Sequence, residues 1–503
     1  MSDRSAGALS VGEFLRFLWR QLTSMRTALT LLFLAALAAI PGSLIPQRPV
    51  SPVQVDTFMA DNPTLGKIYD RAGLFEVYTS PWFSAIYLLL LISLLGCIIP
   101  RCVTYLRQVR AEPVAVPSRL TRMPVSATAE VTGSPKRALD RSEEWLRAHR
   151  YRIRREDGAI SAERGYLREV GNLIFHISLV FLLIGVAITV TFGYRGTSNV
   201  LVGHGFSNTL SQYDEISSGP AFTDADLRPF SVNITDFEAQ FEAGEVNTGQ
   251  PREFTVLTEV VEEPGAEPRE QVIRLNEPLQ VGETQVHLLG HGYAPQVTVR
   301  DGNGDVAWQG PVIFVPQDNN LTSAGAINVV DARPERIGLE GFFLPTATVD
   351  EMGPRSLYPE PLSPELFLTA WFGPPKEETG EPSNVYALDK AGMTQFATDG
   401  DPLRLRMAVG DSVDLPDGKG SITFDGYQEW VRLQVSHTPG AVFTLTWVGI
   451  AVAGLCLSLF IRPRRLWVRV ADGTVEVAGL DRADGRTGLA EEVEDLAEAA
   501  LGK

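Results

Sequence analysis

The sequence predicts a membrane protein with four transmembrane α-helices, a large extracytoplasmic all-β domain of sandwich type and small cytoplasmic α+β elements. Three observations predict it. Four windows, residues 27–45, 81–99, 169–190 and 441–461, are apolar over the about 20 residues that cross about 30 Å of hydrocarbon at about 1.5 Å per residue. Glu169, at the edge of the third window, is the only Asp, Glu, Lys or Arg in any of them, which argues against core helices of a soluble protein. Arg and Lys gather on one side of these windows, and the long segment between the last two alternates apolar and polar residues with a period of two.

Residues 1–26 read as a cytoplasmic N-terminus with an interfacial helix. In "SVGEFLRFLWRQL", Ser10 and Glu13 stand at capping-box spacing, and Phe14, Phe17, Leu18 and Leu22 share a helical face against Arg16 and Arg20. The first span, 27–45, contains Ala36-Leu37-Ala38, which imitates a signal-cleavage site but lies inside an apolar run that continues to Ile45. Residues 46–80 form an extracytoplasmic loop before the second span, 81–99. The loop 100–168 holds about 15 Arg and Lys, "RYRIRR" at 150–155 among them, and the positive-inside rule places it in the cytoplasm with Arg4, Arg16, Arg20 and Arg26. Within it, "VSATAEV" (125–131), a helix from Ser134-Pro135 and a hairpin turning at Asp157-Gly158 predict a small βαββ unit.

After the third span, 169–190, residues 191–440 form the extracytoplasmic domain. "FSVNITDF", "EFTVLTEVV" and "GSITFDGYQEWVRLQV" are strand patterns, and an antiparallel sandwich of about 245 residues is the simplest reading. Acidic residues outnumber basic ones about 37 to 15 here, so the chain's negative net charge of -17 originates in this domain. That balance disfavours nucleic acid or an anionic lipid surface as its partner. The fourth span, 441–461, runs into Arg462, Arg464 and Arg465, which keep the tail 462–503 cytoplasmic. The tail holds a hairpin turning at Asp472-Gly473 and the acidic helix "LAEEVEDLAEAAL", both expected to pack with the 100–168 loop.

Several chemistries are excluded. Cys97, Cys102 and Cys456 all lie in or beside spans, so the outer domain is neither a disulfide scaffold nor a thiol oxidoreductase. "HLLGH" spaces His287 and His291 four apart, but Gly290 and Gly292 and the strand-like surroundings argue against a helical zinc site. No P-loop, G-x-S-x-G or dinucleotide-binding glycine pattern occurs at a strand-to-helix junction.

His176 stands out because a membrane interior makes it costly. Glu169, Asn172 and His176 recur at i, i+3 and i+7, a polar stripe on an otherwise apolar helix, with His176 about 10 Å inside the cytoplasmic edge. Such groups either mark a ligand or proton path or hold a neighbouring helix by hydrogen bonding. His437, three residues before the last span, fits either an axial haem ligand or an interfacial polar residue, and His204 lies just outside the third span.

Taken together, "SMRTALTLLFLAALAAIPGSLIPQ" (24–47), "PWFSAIYLLLLISLLGCIIPR" (81–101), "ERGYLREVGNLIFHISLVFLLIGVA" (163–187), "LNEPLQVGETQVHLLGHGYAP" (275–295) and "WVRLQVSHTPGAVFTLTWVGIAVAGLCLSLFIRPRRLWVRV" (430–470) are similar to the ResB family of cytochrome c biogenesis proteins. The order of spans and domains matches as well. The resemblance implies a non-catalytic or shared-catalysis subunit of a system II cytochrome c synthase in the cell membrane. Such a subunit works with a ResC/CcsA-like membrane partner and delivers haem b to apocytochrome c. It also implies that His176 helps bind haem within the membrane; imidazole is a good axial ligand of haem iron, and Asn172 or Glu169 is placed to orient the ring. Two departures stand out: His437-Thr438-Pro439-Gly440 replaces the aspartate-containing D-P-G of many relatives, and the tryptophan-rich motif of the partner family is absent. From a different class, the same layout also suits a membrane-anchored scaffold or sensor whose β-domain binds a protein without touching haem.

Overall fold

The computed structural model describes residues 10–48, 50–131, 133–165, 167–244, 246–351, 353–375, 387–398, 401–481 and 488–502. Its helices, in chain order, are α1 (Val11–Leu22), α2 (Met25–Leu44), α3 (Pro52–Asp61), α4 (Pro63–Arg71), α5 (Pro81–Arg110), α6 (Pro135–Ala148), α7 (Leu167–Phe192), α8 (Ala441–Phe460) and α9 (Leu489–Leu501). Among the described residues α2, α5, α7 and α8 are long and apolar enough to cross a membrane. Together with several antiparallel sheets between α7 and α8, they give the four-span, β-rich fold class that the sequence predicts. The chain folds as two compact units, Met1–Gly185 with Val442–Lys503, and Val186–Ala441.

In the first unit α1 begins on the capping box anticipated from sequence. Glu13 N donates to Ser10 Oγ at 3.3 Å, and Ser10 N donates to the Glu13 carboxylate at 2.9 Å. The last carbonyls of α1 have no partner inside their own helix and find them on α5: Ser93 Oγ donates to Leu22 O at 2.6 Å and the Cys97 thiol to Thr23 O at 2.9 Å. Phe14, Phe17, Leu18 and Trp19 remain exposed along α1. The segment 46–80, expected to link the first two spans, contains two short helices. Pro52 and Pro63 stand at the first position of α3 and α4, where the missing N–H costs nothing. Rings of Phe58, Tyr69 and Phe75 cluster beneath them, 5.6 to 6.1 Å apart.

The basic segment after the second span and the segment after the fourth form one folded body, as expected. A five-stranded antiparallel sheet has the order Val125–Glu130, Thr474–Asp481, Arg464–Ala471, Ala159–Arg164, Arg152–Glu156. The hairpin that follows α8 is therefore inserted among the strands that lie between α5 and α7, and α6 and α9 cover one face over Leu139, Leu146, Val468, Val477 and Leu496. Trp467 and Leu120 close the other face. The turn at Asp472-Gly473 has positive φ at both residues, the geometry that matches the twist of a two-residue hairpin.

The β-region departs from the single sandwich anticipated. Two long strands, Thr284–Asp301 and Gly420–His437, pair along their whole length and serve two sandwiches in succession. One half packs Val286, Leu288, Val431, Leu433 and Val435 against Val232, Ile234, Val256 and Ile273 of a four-stranded sheet. The other half packs Val297, Val299, Ile422 and Phe424 against Ile327, Leu339, Leu366 and Met407 of a six-stranded sheet. Register shifts at Leu288/Gly290 and Gln296/Val297 insert one unpaired residue in each strand. These bulges re-phase the alternation, so both cores lie on one face of the shared pair. Between them Gly292 lets the Trp430 indole lie across the strand, where a Cβ would come within 2.7 Å of the ring, and Trp430 Nε1 donates to Tyr293 O at 3.1 Å.

Candidate functional site

The polar stripe of α7 is positioned by the packing of α7 on α8. The buried residues of α7 are Gly171, Ser178 and Gly185, a small side chain every seven residues. Gly171 meets Gly454 so closely that a Cβ on Gly171 would stand 2.7 Å from Gly454 O and Ser458 N. Farther along, the Phe181 and Trp447 rings stack at 4.2 Å. Small residues at such a seam let two backbones approach in lipid, where dispersion replaces the hydrophobic effect as the cohesive force. At about 100° per residue, the stripe of Glu169, Asn172 and His176 is centred roughly 150° around α7 from that seam. It faces away from α8.

On this free face the imidazole has a defined tautomer. His176 Nδ1 lies 2.8 Å from the main-chain carbonyl of Asn172. A carbonyl only accepts, so Nδ1 carries a proton, and Nε2 is the nitrogen that bears the lone pair whenever the ring is neutral. The Phe175 ring stands edge-on at 5.3 Å, and His176 is half-buried. Asn172 thus orients the ring through its backbone rather than through its amide. Glu169 is two turns away along α7, about 10 Å, beyond direct reach of the imidazole. The arrangement leaves Nε2 as the ring nitrogen that can act as a donor at the side of a membrane helix. That donor suits an axial ligand of haem, whose porphyrin supplies the other four nitrogens. Among the described residues no cluster of three or more His, Cys, Asp or Glu could hold a bare metal ion.

The remaining histidines separate by position. His437 ends its strand opposite Tyr194 and Thr284, with its ring 5.9 Å from that of Tyr194 and Nδ1 3.4 Å from Glu283 O. His204 is exposed in a turn. His287 and His291 occupy one strand but opposite faces, because the bulge between them shifts the alternation. His287 Nε2 lies 3.3 Å from Gln285 Oε1. His291 points into the core, 9% exposed, among Phe237, Phe241 and Phe254 at 4.7 to 6.0 Å. The three cysteines are free thiols.

Burial pushes His291 down from 6.5 to about 4. The unfolded chain therefore takes up the proton first as pH falls. Stability of the β-region is full above pH 6.5 and drains through the window from 6.5 to 4, by about 3 kcal/mol in all. Chemical denaturation at pH 7 and pH 4.5 checks this, and His291→Leu is expected to flatten the dependence.

The seam was legible as Gly171-x6-Ser178-x6-Gly185, a pattern that sequence reasoning passed over in favour of the polar stripe. The main-chain tether of His176 left no such signal, since it depends on a rotamer.

The fold and the stripe define a class: a polytopic membrane protein that carries a large antiparallel β-region between its last two spans and a nitrogen donor on a free helix face. The chain belongs to the ResB-like family, whose model matches residues 25–494, in agreement with the resemblance read from sequence. It is similar to the cytochrome c biogenesis protein CcsB of Gloeobacter violaceus, 28% identical over 51% of this chain and 52% of the relative. The chain thus spans about half the length of that relative in the matched stretch. A CcsB of a Synechococcus species is 24% identical over 91% of each chain. The cytochrome c biogenesis protein ResB of Bacillus subtilis is 26% identical over 33% of this chain and 32% of the relative.

Proposed function

We propose that this chain is the haem-handling subunit of a system II cytochrome c synthase and that His176 Nε2 ligates haem iron on the cytoplasmic side of the membrane. The observation that carries the reading is the Asn172 carbonyl that fixes the Nδ1–H tautomer on the face of α7 turned away from α8. A ResC/CcsA-like partner would dock on that face. Haem is the cargo here, and His176 Nε2 would hold it until the partner passes it outward to apocytochrome c. This chain's residues bind and orient: α8 fixes the rotation of α7, Asn172 fixes the imidazole, and Phe175 covers one edge of the ring.

Orientation follows from charge. The interleaved α/β body, rich in Arg, lies in the cytoplasm with both termini, and the acidic β-region lies outside. The β-region then meets the apocytochrome or the partner, and His437 sits where the chain re-enters the membrane.

The test is co-purification of the chain with its partner, followed by an absorption spectrum. His176→Ala is expected to lower retained haem by at least about tenfold and c-type cytochrome levels with it, while the partner still co-purifies. Added imidazole restores the spectrum by filling the vacated position. Unchanged haem and cytochrome levels in His176→Ala overturn the assignment.

A further inference from the structure

The outward face of the six-stranded sheet holds a trough of about 830 Å³, well apart in sequence from His176 and unused by the function proposed above. Strand register builds its floor. Phe342 lies beside Phe367, and the next strand places Arg406 beside Phe367 and Arg404 beside Thr369. An apolar row therefore passes into a row of cations. Leu388 walls one end and Pro354, from a short hairpin, walls the other. Ala326, although on the outward face, is only 3% exposed, whereas Phe342 is 39% exposed, so the floor runs from sheltered to open.

The charges single out one group. Lys390 pairs with Glu340, and Arg406 pairs with Glu365 at 2.6 Å. Arg404 lines the trough and, among the described residues, makes no ion pair. A guanidinium at the end of an aromatic floor, in a region that is otherwise acidic, selects an anion with an apolar body. The strands bearing Phe342 and Phe367 are paired on both sides, and the strand bearing Arg404 and Arg406 pairs, among the described residues, only with that of Phe367, so its one open edge is turned away from the aromatic floor. No His, Cys, Met or Tyr lines the trough, so nothing there ligates iron. The volume is that of a site for a single small molecule.

We propose that this trough binds an amphipathic carboxylate, its apolar body on Phe342 and Phe367 and its carboxylate on the Arg404 guanidinium. Two sources share this chemistry: an acyl chain ending in a carboxylate, and a flat porphyrin bearing propionates.

The full chain in phosphatidylcholine nanodiscs is photolabelled with palmitate carrying a diazirine and an alkyne, and the modified peptides are identified by mass spectrometry. Label is expected on peptides containing Phe342 or Phe367, with label on the spans as internal standard. Arg404→Ala lowers trough labelling about tenfold, the worth of one charge-assisted hydrogen bond. Phe342→Asp removes it. Both positions face solvent, so neither change threatens the fold. Competition by excess protoporphyrin IX more than by unlabelled palmitate identifies the porphyrin body, and the reverse order identifies the chain. No label in the trough, label indifferent to both substitutions, or competition by neither compound overturns the proposal.

Discussion

Gly454→Val is expected to part α7 from α8 and to abolish the site without touching it. A Cβ on Gly454 would stand 2.8 Å from Phe175 N and 2.9 Å from Gly171 O, both main-chain atoms that no rotamer change can move. The helices must separate or rotate, and the strain of such overpacking is about 1–3 kcal/mol. Interhelical contacts in lipid are themselves worth only about 1–2 kcal/mol each, so the loss is comparable to what holds the pair together. The check is a cysteine pair at Phe181 and Trp447, whose rings stack at 4.2 Å, in a background with Cys97, Cys102 and Cys456 replaced. Oxidative cross-linking is expected to fall about tenfold in Gly454→Val. Gly449 lies in the same helix with no atom within 4 Å of a built Cβ, so Gly449→Val should cross-link normally. Equal yields in both variants would remove the seam from the account of α7.

The second large effect lies in the interleaved α/β body. Glu492, from α9, accepts from Tyr151 Oη at 2.7 Å and pairs with Arg164 at 2.7 Å and Arg464 at 3.1 Å. Arg464 is 8% exposed and also faces Asp481 at 3.5 Å. The cluster ties the strand before α7, the strand after α8 and the C-terminal helix to one carboxylate. Burial by itself would raise the Glu492 carboxyl, but the Tyr151 hydroxyl and the two guanidiniums outweigh it and hold the carboxyl below the usual carboxylate value. Removing this half-buried carboxylate costs about 1.5–3 kcal/mol, because Arg164, Arg464 and Tyr151 all lose a charge-assisted partner. Glu492→Ala is therefore expected to release α9, seen as rapid hydrogen exchange and protease cleavage at Leu489–Leu501 with the β-region unchanged. The pH dependence has a definite sign. A depressed carboxyl contributes stability that is complete above its unfolded value of 4.5 and is lost as pH falls through its lower, folded value. Wild type should thus loosen in this body only at strongly acidic pH, and Glu492→Ala should already be loose at pH 7.

Much of the molecule was legible in the sequence, and the particular residues show why. The four spans follow from charge-free runs, because no residue can compensate a buried charge in lipid except a partner. The α1 cap and the Asp472-Gly473 turn follow from local rules that hold within a few residues. The cost of His176 in an apolar helix was also visible, and it singled out the stripe. The helices within 46–80 were not anticipated, because α3 and α4 are held by their proline starts and by an aromatic cluster that closes only when Phe75 returns upon Phe58 and Tyr69.

By itself, then, the sequence determined the number and place of the spans, the β-character of the long segment between the third and fourth, and the one histidine worth asking about. These rest on composition and on contacts between near neighbours in the chain. Only the tertiary structure decided that two sandwiches share one pair of strands, since a bulge changes which face a residue takes without changing which residue it is. It alone decided that the segment after α8 and the segment between α5 and α7 weave a single sheet, and that the His176 stripe turns away from α8 with Nδ1 tied to Asn172. Those outcomes depend on which distant surfaces meet. A residue's own neighbours in sequence do not fix that.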